Sequence, residues 1–594
     1  MFQSIVHMLF NTIDYFAVKD VFRYKRDGRL RRISYNELGG QVKNVTRGLA
    51  DMGLQAGDKI AILSNNRPEW PVSDFAVFAL RGRVIPIYQT LLPKQTAYIL
   101  KDSETRAIFV ENETQYKKIA AIKEELPGLE FIISYDEISD ITIPVIYFHE
   151  LIEMGKIHRE KHRDFFEKSI ESIDPEDVCS IVYTSGTTGN PKGVMLSHKG
   201  FLIDIINSEA VLSLYPSDVF LSFLPLSHLY ERLAGHWCPI YRGGTIHYAQ
   251  SIETVVEDIA DARPTVMVSV PRLYEKVASA VKNQIETGPA FKRNLYYWAV
   301  GTGLEYHEKK TENKLTKELE FRHKIADKLV FQKIRNKLGG RFRCPIAGGA
   351  PLSVETLKFF EAVGMRIIEG YGMTETHLII TLTPQGKTKY GSCGKPIEGI
   401  EVKTAKDGEV LVRGETLMAG YYNNPEQTAE MIDKDGWLHT GDIGHLDKDN
   451  YLFLTDRKKN IIVTSGGKNV APAPIEHKIK ISPLIDEACL IGSGRKFISA
   501  LIIPDYEALM KLANEEGLEL RNNKDLAENV RVHEIVLEEI DNLQHDFARY
   551  EKVKKIRILP EPFSIEKGEL TPSLKIKRSV VEKEYKEIID GIYE

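Results

Sequence analysis

Cysteine, long apolar runs and an excess of one charge are all scarce in this sequence. Five cysteines are spread over 594 residues, and the closest two in the chain are Cys344 and Cys393. This spacing excludes a zinc or CxxC motif, and a sparse odd set is typical of a reducing compartment. No uncharged run approaches the ~18 residues of a membrane helix, and the start lacks the basic region of a signal peptide. We therefore expect a cytoplasmic protein.

The charges nearly cancel, with 79 basic and 84 acidic side chains and a net charge of −5. This balance gives no support for nucleic-acid binding, which needs a basic surface. Apolar residues make up 43% and charged residues 27% of the chain, as in ordinary globular proteins. At ~100–200 residues per domain, the length predicts several domains or subdomains.

Short β-branched runs alternate with longer mixed segments over the first three quarters of the chain. Examples are residues 59–63 (KIAIL), 107–110 (AIFV) and 266–270 (VMVSV). Such runs indicate buried strands separated by helices, and so an α/β fold with largely parallel sheets. Near Asp456 the chain becomes rich in glycine and lysine. We therefore predict two parts, residues 1–456 and 457–594.

The segment from Phe291 to Arg341 is strongly basic for a chain of this net charge. Within it Val330, Ile334 and Leu338 recur every four residues beside Phe331, which predicts one apolar helix face. One interpretation is a surface helix packed on the body of the protein. The alternative is a basic amphipathic face that makes peripheral contact with an anionic membrane.

A loop rich in glycine and hydroxyl side chains follows the strand-like run 179–183. Its residues are Thr184, Ser185, Gly186, Thr187, Thr188, Gly189, Asn190, Pro191 and Lys192. Glycine lets backbone N–H groups approach an anion closely, hydroxyls add donors, and the lysine adds positive charge. The loop therefore predicts polyphosphate binding, although its spacing does not match a Walker motif.

The run YTSGTTGNPKG at residues 183–193 resembles the signature of the adenylate-forming superfamily, which includes acyl-CoA synthetases and luciferase. Further motifs of the family follow in its usual order: residues 347–351 (AGGAP), 369–375 (EGYGMTE), 437–442 (WLHTGD), 456–459 (DRKK) and 570–578 (LTPSLKIKR). The resemblance implies a large N-terminal domain of stacked α/β subdomains, mostly parallel sheets with a β-rich subdomain. It also implies a small mobile α+β C-terminal domain with a hinge near Lys459.

The same resemblance implies a reaction between a carboxylate and ATP that yields an acyl-adenylate and pyrophosphate, followed by attack of a thiol. Coenzyme A is the expected thiol substrate, and Mg²⁺ is expected with the ATP phosphates. Thr184 and Glu375 match the metal-binding positions. The residues expected to contact ATP or CoA are Thr184, Ser185, Gly186, Thr187, Thr188, Gly189, Lys192, Gly349, Ala350, Gly370, Tyr371, Gly372, Met373, Thr374, Asp442, Arg457, Gly466 and Lys575.

Individual roles follow from the same family motifs. Tyr371 is expected to stack on adenine, Asp442 to accept the ribose hydroxyls, and Gly466 to line the thiol channel. Lys575 is expected to bridge the carboxylate and the α-phosphate. The catalytic set is then Lys575, Glu375, Thr184, Arg457 and His228. One departure is Leu574, where the family usually has glycine.

The acyl substrate is indicated by the segment 224–232 (LPLSHLYER), which resembles the acyl-pocket segment of long-chain acyl-CoA synthetases. His228 would lie near the substrate carboxylate, with a packed core histidine as the alternative. The leading function is a long-chain fatty-acid:CoA ligase. Loading of an acyl carrier protein and a non-catalytic lipid- or nucleotide-binding scaffold are the alternatives. Acyl chain length and oligomeric state stay open.

Overall fold

The computed structural model describes residues 2–184, 190–251, 254–571 and 575–594. The strands, numbered in chain order, are β1 Asp20–Arg26, β2 Arg29–Ser34, β3 Lys59–Leu63, β4 Arg83–Ile87, β5 Ala107–Val110, β6 Phe131–Ser134, β7 Ile146–Tyr147, β8 Val178–Thr184, β9 Lys192–Ser197, β10 Val219–Ser222, β11 Thr245–Tyr248, β12 Val266–Ser269, β13 Cys344–Ala347, β14 Ile368–Tyr371, β15 Thr381–Leu382, β16 Lys395–Pro396, β17 Ile400–Thr404, β18 Glu409–Gly414, β19 Gly420–Tyr421, β20 Leu438–Leu446, β21 Leu452–Arg457, β22 Ile462–Val463, β23 Asn469–Val470, β24 Ile485–Ile491, β25 Ile498–Pro504 and β26 Val553–Ile558.

The α-helices are α1 Ile5–Phe16, α2 Tyr35–Asp51, α3 Glu69–Ala79, α4 Pro93–Asp102, α5 Glu113–Ala120, α6 Phe148–Lys161, α7 Phe165–Glu171, α8 His198–Leu212, α9 Cys238–Tyr241, α10 Val255–Ala262, α11 Pro271–Glu286, α12 Ala290–Thr311, α13 Lys317–Ala326, α14 Gln332–Lys337, α15 Val354–Ala362, α16 Pro425–Met431, α17 Pro472–Ile479, α18 Tyr506–Glu515, α19 Asn523–Glu528, α20 Val530–Leu543, α21 Arg578–Glu584 and α22 Lys586–Tyr593. Two π-helical turns span Glu231–Trp237 and Asp327–Phe331, and 3₁₀ turns span Lys123–Glu125, Thr374–Thr376 and Lys458–Asn460.

Two large sheets carry most of the strands. The first has the order β16-β15-β14-β13-β12-β10-β11-β1-β2, and the second has the order β19-β9-β8-β4-β3-β5-β6-β7. Their central strands are parallel, as in the pairs of β3 with β4 and β5. The predicted runs at 59–63 and 107–110 coincide with β3 and β5, and β12 ends one residue before the predicted run does. The predicted α/β fold is therefore confirmed.

Helix α3 and the first π-helical turn are buried on every side, as expected for helices enclosed by other elements. A fully buried ion pair joins them, because the Arg232 Nε donates to Asp74 Oδ2 at 3.0 Å. Ser180 Oγ accepts a further bond from the guanidinium at 2.8 Å. Arg232 also lies over the Trp70 and Trp237 rings. A buried charge of this kind is tolerated only with such complete pairing.

Contacts divide the chain into two compact units. Unit 1 comprises Met1–Val402, Val412–Leu438 and Lys448–Leu452, and unit 2 comprises Lys403–Leu411, His439–Asp447 and Phe453–Glu594. Unit 2 thus takes in three stretches from the range 1–456, namely 403–411, 439–447 and 453–456. Its sheet β24-β25-β26 packs on α17 and α20 around an apolar core of its own.

The predicted apolar face of the basic segment lies in the core of unit 1. Phe331, Ile334 and Leu338 are buried there, and Val330 packs against them. This face is therefore packed on the body of the protein, as the first interpretation expected, and it is not the surface that would meet a membrane. Among the described residues, no helix combines the length and apolar character needed to span a membrane.

Candidate functional site

The predicted phosphate loop connects two antiparallel strands of unit 1. Thr184 is the last residue of β8 and Lys192 the first of β9, and the two are directly paired across the hairpin. The predicted contacts Ser185, Gly186, Thr187, Thr188 and Gly189 lie outside the described residues. The pairing holds a hydroxyl and an ammonium group at the two ends of the loop, which suits an anion.

Glu375 lies in the 3₁₀ turn Thr374–Thr376, which packs on β9. Its side chain is buried, and its Oε1 accepts a hydrogen bond from the Tyr421 hydroxyl at 2.9 Å. Tyr421 comes from β19, where it pairs with Val194 of β9. The Lys192 Nζ lies 4.9 Å from the centroid of the Tyr421 ring. Burial and the neighbouring Glu375 carboxylate raise the pKa of Tyr421, which stays a neutral donor.

His377 locks the turn that carries Glu375 against β9. Its Nε2 accepts from the Ser197 backbone N–H at 2.9 Å, and its Nδ1 lies 2.7 Å from the Thr416 carbonyl oxygen. These partners assign the neutral tautomer with the proton on Nδ1. Burial lowers the pKa of His377 to about 4. A side chain at Gly200 would collide with the imidazole ring, so glycine at the start of α8 leaves space for the His377 ring.

The predicted adenine-binding residues lie at the ends of two adjacent parallel strands. Gly370 and Tyr371 close β14, and Gly349 and Ala350 follow β13 on an exposed loop. Gly349 has a φ of +82°, a left-handed conformation that favours glycine.

The next motif residues, Gly372, Met373 and Thr374, lead into the turn that carries Glu375. At Gly372 an added Cβ would meet the Leu378 carbonyl oxygen, so a larger residue cannot occupy this position. Glu369, just before Gly370, is a titratable group that the motif analysis did not single out. Burial raises its pKa to about 8, and a hydrogen bond with the Leu352 backbone opposes the shift.

His228 lies in the loop after β10 and is half-buried rather than packed in the core. Its Nδ1 accepts from the Tyr230 backbone N–H at 3.1 Å, and its ring lies edge-on to Tyr88 with centroids 6.4 Å apart. Asn66 fixes the loop, because its side chain donates to the Leu224 carbonyl oxygen and accepts from the Leu226 N–H. The His228 ring is thus held by the Tyr230 backbone and by the Tyr88 ring, which comes from a second segment of unit 1.

Unit 2 holds the other predicted site residues. The Arg457 Nε donates to Asp442 Oδ1 at 3.1 Å, with Asp442 buried and the Arg457 side chain 54% exposed. The Lys575 backbone N–H donates to Thr571 Oγ1 at 3.0 Å. Its surface is exposed, yet surrounding atoms desolvate the ammonium group and lower its pKa to about 8. The Arg457 charge adds to this shift and Asp442 opposes it.

Gly466 lies in an exposed loop, which is closed by a hydrogen bond from the Gly467 N–H to the Thr464 carbonyl oxygen at 2.9 Å.

The predicted site residues form two clusters in the structure. The first cluster, in unit 1, consists of Lys192 at the start of β9 and of Thr184 and Glu375 on elements that pack against β9. The second, in unit 2, consists of Asp442, Arg457 and Lys575. Each cluster contains residues that are distant in the sequence.

The donor set of unit 1 fits a magnesium ion held with a nucleotide. Mg²⁺ is usually bound by one or two carboxylates together with substrate phosphates and water. Glu375 supplies a buried carboxylate, and Thr184 supplies a hydroxyl at the end of β8. No group of three or more acidic, histidine or cysteine side chains among the described residues could hold a metal without such a ligand. The residues present therefore match a metal that arrives with phosphates.

Tyr421 and His377 are the residues of this region that sequence reasoning missed. His377 stands two residues after Glu375, and this proximity was a usable signal. Tyr421 follows Gly420 in a run of tyrosines and asparagines. Nothing in that run links it to Lys192, because the contact arises from the pairing of β19 with β9.

A family model described as "AMP-binding enzyme" matches residues 11–422, and one described as "AMP-binding enzyme C-terminal domain" matches residues 459–594. The chain belongs to the AMP-binding enzyme family. The long-chain-fatty-acid–CoA ligase FadD15 of Mycobacterium bovis is 34% identical over 97% of this chain and 94% of its own length. Long-chain-fatty-acid–CoA ligase ACSBG1 of Rattus norvegicus is 32% identical over 100% of this chain and 86% of its own.

Solved structures of AMP-binding enzymes share the fold. The anthranilate CoA ligase AuaEII, in complex with anthranoyl-AMP, has a TM-score of 0.72 at 21% identity and covers 99% of this chain and 98% of its own. The o-succinylbenzoate CoA synthetase MenE of Bacillus subtilis has a TM-score of 0.67 at 20% identity, with 97% of each chain covered. At such identities the likeness supports the fold of this family member.

Proposed function

We propose that this chain is a long-chain fatty-acid:CoA ligase. It activates a long-chain fatty acid with ATP to an acyl-adenylate, releasing pyrophosphate, and then forms the thioester with coenzyme A, releasing AMP. The observation that carries the proposal is the cluster of Thr184, Lys192 and Glu375 around β9 in a member of the AMP-binding family. Relatives that match over nearly their whole length are named for this activity.

In this proposal unit 1 neutralises the polyphosphate. Adenylation brings a carboxylate against the α-phosphate, so most of the catalytic work is charge stabilisation and alignment. Lys192 would bind phosphate oxygens together with the loop 185–189. Glu375 and Thr184 would hold Mg²⁺, which supplies further charge neutralisation when bound. Tyr371 would stack on adenine, beside the loop that carries Gly349 and Ala350.

Unit 2 would contribute the contact with ribose and the positive charge that stabilises the reacting carboxylate and α-phosphate. Asp442 suits two ribose hydroxyls, since a carboxylate has two acceptor oxygens, and Arg457 would contact ribose or phosphate. Lys575 would bridge the attacking carboxylate and the α-phosphate. His228 would face the substrate carboxylate, and Gly466 would leave room for the pantetheine arm. The boundary at residue 457 and the hinge near Lys459 remain part of this proposal.

The decisive experiment supplies the purified chain with palmitate, ATP, Mg²⁺ and CoA. We expect AMP and palmitoyl-CoA in equal amounts, and palmitate-dependent ATP–pyrophosphate exchange without CoA. Exchange without CoA consumption, but with acylation of a holo carrier protein, would instead identify a carrier-loading enzyme. The absence of exchange with every fatty acid tested would identify a scaffold.

We further propose a cytoplasmic enzyme that contacts the inner face of a membrane through residues 291–341. The absence of disulfides among its described cysteines suits a reducing compartment. Phe321, Ile325 and Leu329 recur every four residues on α13 and the following π-helical turn, and they are 65%, 37% and 42% exposed. Lys324 and Lys328 are exposed within the same stretch. An exposed apolar stripe between lysines suits an anionic bilayer, the reservoir of a fatty substrate.

Co-sedimentation with phosphatidylcholine vesicles, with and without phosphatidylserine, tests this contact. Reversing Lys324 and Lys328 to glutamate removes attraction worth ~1 kcal/mol for each lysine near the surface. We expect binding to the anionic vesicles to fall by at least about tenfold. A variant with Lys94 and Lys434 reversed, both exposed and outside the segment, controls for net charge. Equal binding of the two variants would refute the proposed surface.

A further inference from the structure

Two adjacent tyrosines, Tyr421 and Tyr422, each make the same pair of contacts with a lysine and a glutamate. The Tyr421 hydroxyl donates to Glu375 and its ring lies beneath the Lys192 ammonium group. The Tyr422 hydroxyl donates to Glu104, and its ring lies beneath Lys59. The first trio joins two residues of the candidate site. In the second trio Lys59 also pairs directly with Glu104 at 2.9 Å, and neither of these is a predicted site residue, although Tyr422 lines one cavity with Lys192.

The position of Tyr421 is set by its strand. It pairs with Val194 of β9, its backbone N–H donates to Thr428 Oγ1 at 2.9 Å, and its side chain is buried. Such packing leaves the ring little freedom. The hydroxyl therefore restricts the orientation of the Glu375 carboxylate, and the ring face restricts the position of the Lys192 ammonium group.

The two contacts of Tyr421 reinforce each other electrostatically. A phenol that donates to a carboxylate gains electron density at its oxygen and ring, and hydrogen-bonded chains polarise in this cooperative way. A more electron-rich ring attracts an ammonium group above its face more strongly. The orientation of Glu375 and the position of Lys192 thus depend on one another through the Tyr421 side chain.

We propose that Tyr421 is a positioning residue that couples the metal-binding carboxylate to the phosphate-binding lysine. The inference rests on the proposed function, in which Glu375 holds Mg²⁺ and Lys192 holds phosphate. A carboxylate has about four lone-pair sites, so a bond from Tyr421 to Oε1 is compatible with metal binding. The residue touches neither substrate nor metal in this role. It acts by presenting both charged groups in the arrangement that a metal-bound polyphosphate requires.

The test measures binding of the non-cleavable α,β-methylene analogue of ATP by calorimetry, with Mg²⁺ and with EDTA. The ratio of the two dissociation constants is the gain in affinity that Mg²⁺ supplies. Tyr421→Phe removes the hydroxyl and keeps the ring. We expect it to reduce this gain about tenfold, as loss of a partner to a metal ligand commonly does, with affinity in EDTA nearly unchanged.

Tyr422→Phe is the matched control, because it deletes the same hydroxyl from a neighbouring tyrosine whose acceptor, Glu104, is not a predicted site residue. It should leave both constants at wild-type values. Tyr421→Leu, which also removes the ring, should weaken binding in EDTA as well, since Lys192 then loses its platform. Tyr421→Phe in a Glu375→Gln background should have no further effect on the gain, because the metal-binding carboxylate that Tyr421 orients has already been removed.

Equal gains for the wild type and Tyr421→Phe would overturn the inference, and so would equal losses in the two phenylalanine variants. If Tyr421→Phe fails to fold, Thr428→Val provides the second test. It removes the acceptor of the Tyr421 N–H and should reduce the gain in the same direction, whereas an unchanged gain would overturn the proposal. A wild-type chain that binds no nucleotide under either condition would contradict the proposed function itself.

Discussion

The two polar clusters differ in how much of their geometry the folded chain provides. In unit 1, Glu375 and Lys192 both contact Tyr421, whose strand pairs with β9. In unit 2, Asp442 and Arg457 are paired, but Arg457 and Lys575 both keep exposed surfaces. The first cluster is a preformed part of a folded core. The second cluster has two cations with exposed surface, Arg457 and Lys575, and a bound anionic ligand would give them further partners.

This difference separates catalytic effects from effects on stability. A group held by buried hydrogen bonds supports the fold as well as the reaction, so replacing it changes the free energy of unfolding. An exposed cation contributes little to stability, yet it can stabilise charge in a desolvated transition state. Five predictions use this contrast, from the largest expected effect to the smallest.

Lys575→Ala should lower the rate of palmitate-dependent ATP–pyrophosphate exchange about 10²–10³-fold, as expected when one charge-stabilising donor is lost. Thermal stability should not fall, because the folded chain desolvates the ammonium group and so does not gain stability from its charge. Lys577→Ala, two residues further on, is the matched control and should retain exchange activity. Comparable losses in the two variants would mean that general positive charge, rather than Lys575, supports the reaction.

His377→Ala should lower the free energy of unfolding of unit 1 by at least about 2 kcal/mol. It leaves the Ser197 N–H and the Thr416 carbonyl without their partner, and each such buried group costs ~1–3 kcal/mol. All four tryptophans (Trp70, Trp237, Trp298 and Trp437) lie in unit 1, so urea denaturation followed by their fluorescence reports it. His149→Ala, at an exposed histidine, should have little effect.

The contribution of His377 should also depend on pH. Burial lowers its pKa from 6.5 to about 4 in the folded chain, so the fold favours the neutral ring. Its stabilisation is therefore full above pH 6.5 and is lost as the pH falls towards 4. The stability difference between the wild type and His377→Ala should shrink over that interval. A difference that stays constant with pH would contradict a neutral, buried His377.

The pH–rate profile tests the desolvated ammonium of unit 2. Because the pKa of Lys575 is lowered to about 8, the charged form predominates below that pH and is lost above it. The kcat/KM for adenylation, which reports the free enzyme, should fall about tenfold for each pH unit above 8. Lys575→Arg should have a lower but flat profile in that range, since a guanidinium stays charged. Parallel profiles would assign the titration to another group.

Arg457→Ala should change the unfolding temperature of the protein only slightly. Its ion pair with Asp442 is more than half exposed on the arginine side, and such pairs contribute ~0–1 kcal/mol. Arg521→Ala, which breaks an exposed pair with Asp525 elsewhere in unit 2, is the control. Calorimetry should give similar unfolding for both variants, while weakened ATP binding should be confined to Arg457→Ala.

Much of the fold was predictable because local patterns determine it. Strand β5 is an uninterrupted apolar run and β3 is apolar after Lys59, and both occur where the sequence analysis expected them. The helical period through Val330, Ile334 and Leu338 was also correct. Periodicity shows that a helix has an apolar face without showing what covers it, and here the core of unit 1 covers it.

The candidate site was predictable to the extent that its residues lie within motifs. Thr184, Lys192 and Glu375 belong to recognisable runs, and the pairing of β8 with β9 brings the first two together. The link between Lys192 and Glu375 was not predictable. It passes through Tyr421, whose position depends on the register of a two-residue strand against β9, and such register has no local sequence signal.

The burial of the thiols has a practical consequence for labelling. Cys179, Cys238, Cys344 and Cys489 are buried, and Cys393 is partly exposed. Burial raises the pKa of Cys238, Cys344 and Cys489 to about 12, which suppresses the thiolate that reacts with maleimides. Replacing Cys393 alone therefore provides a background with little intrinsic reactivity. Cysteine pairs introduced on either side of Lys459 would then report, by fluorescence energy transfer, whether the proposed hinge rotates during turnover.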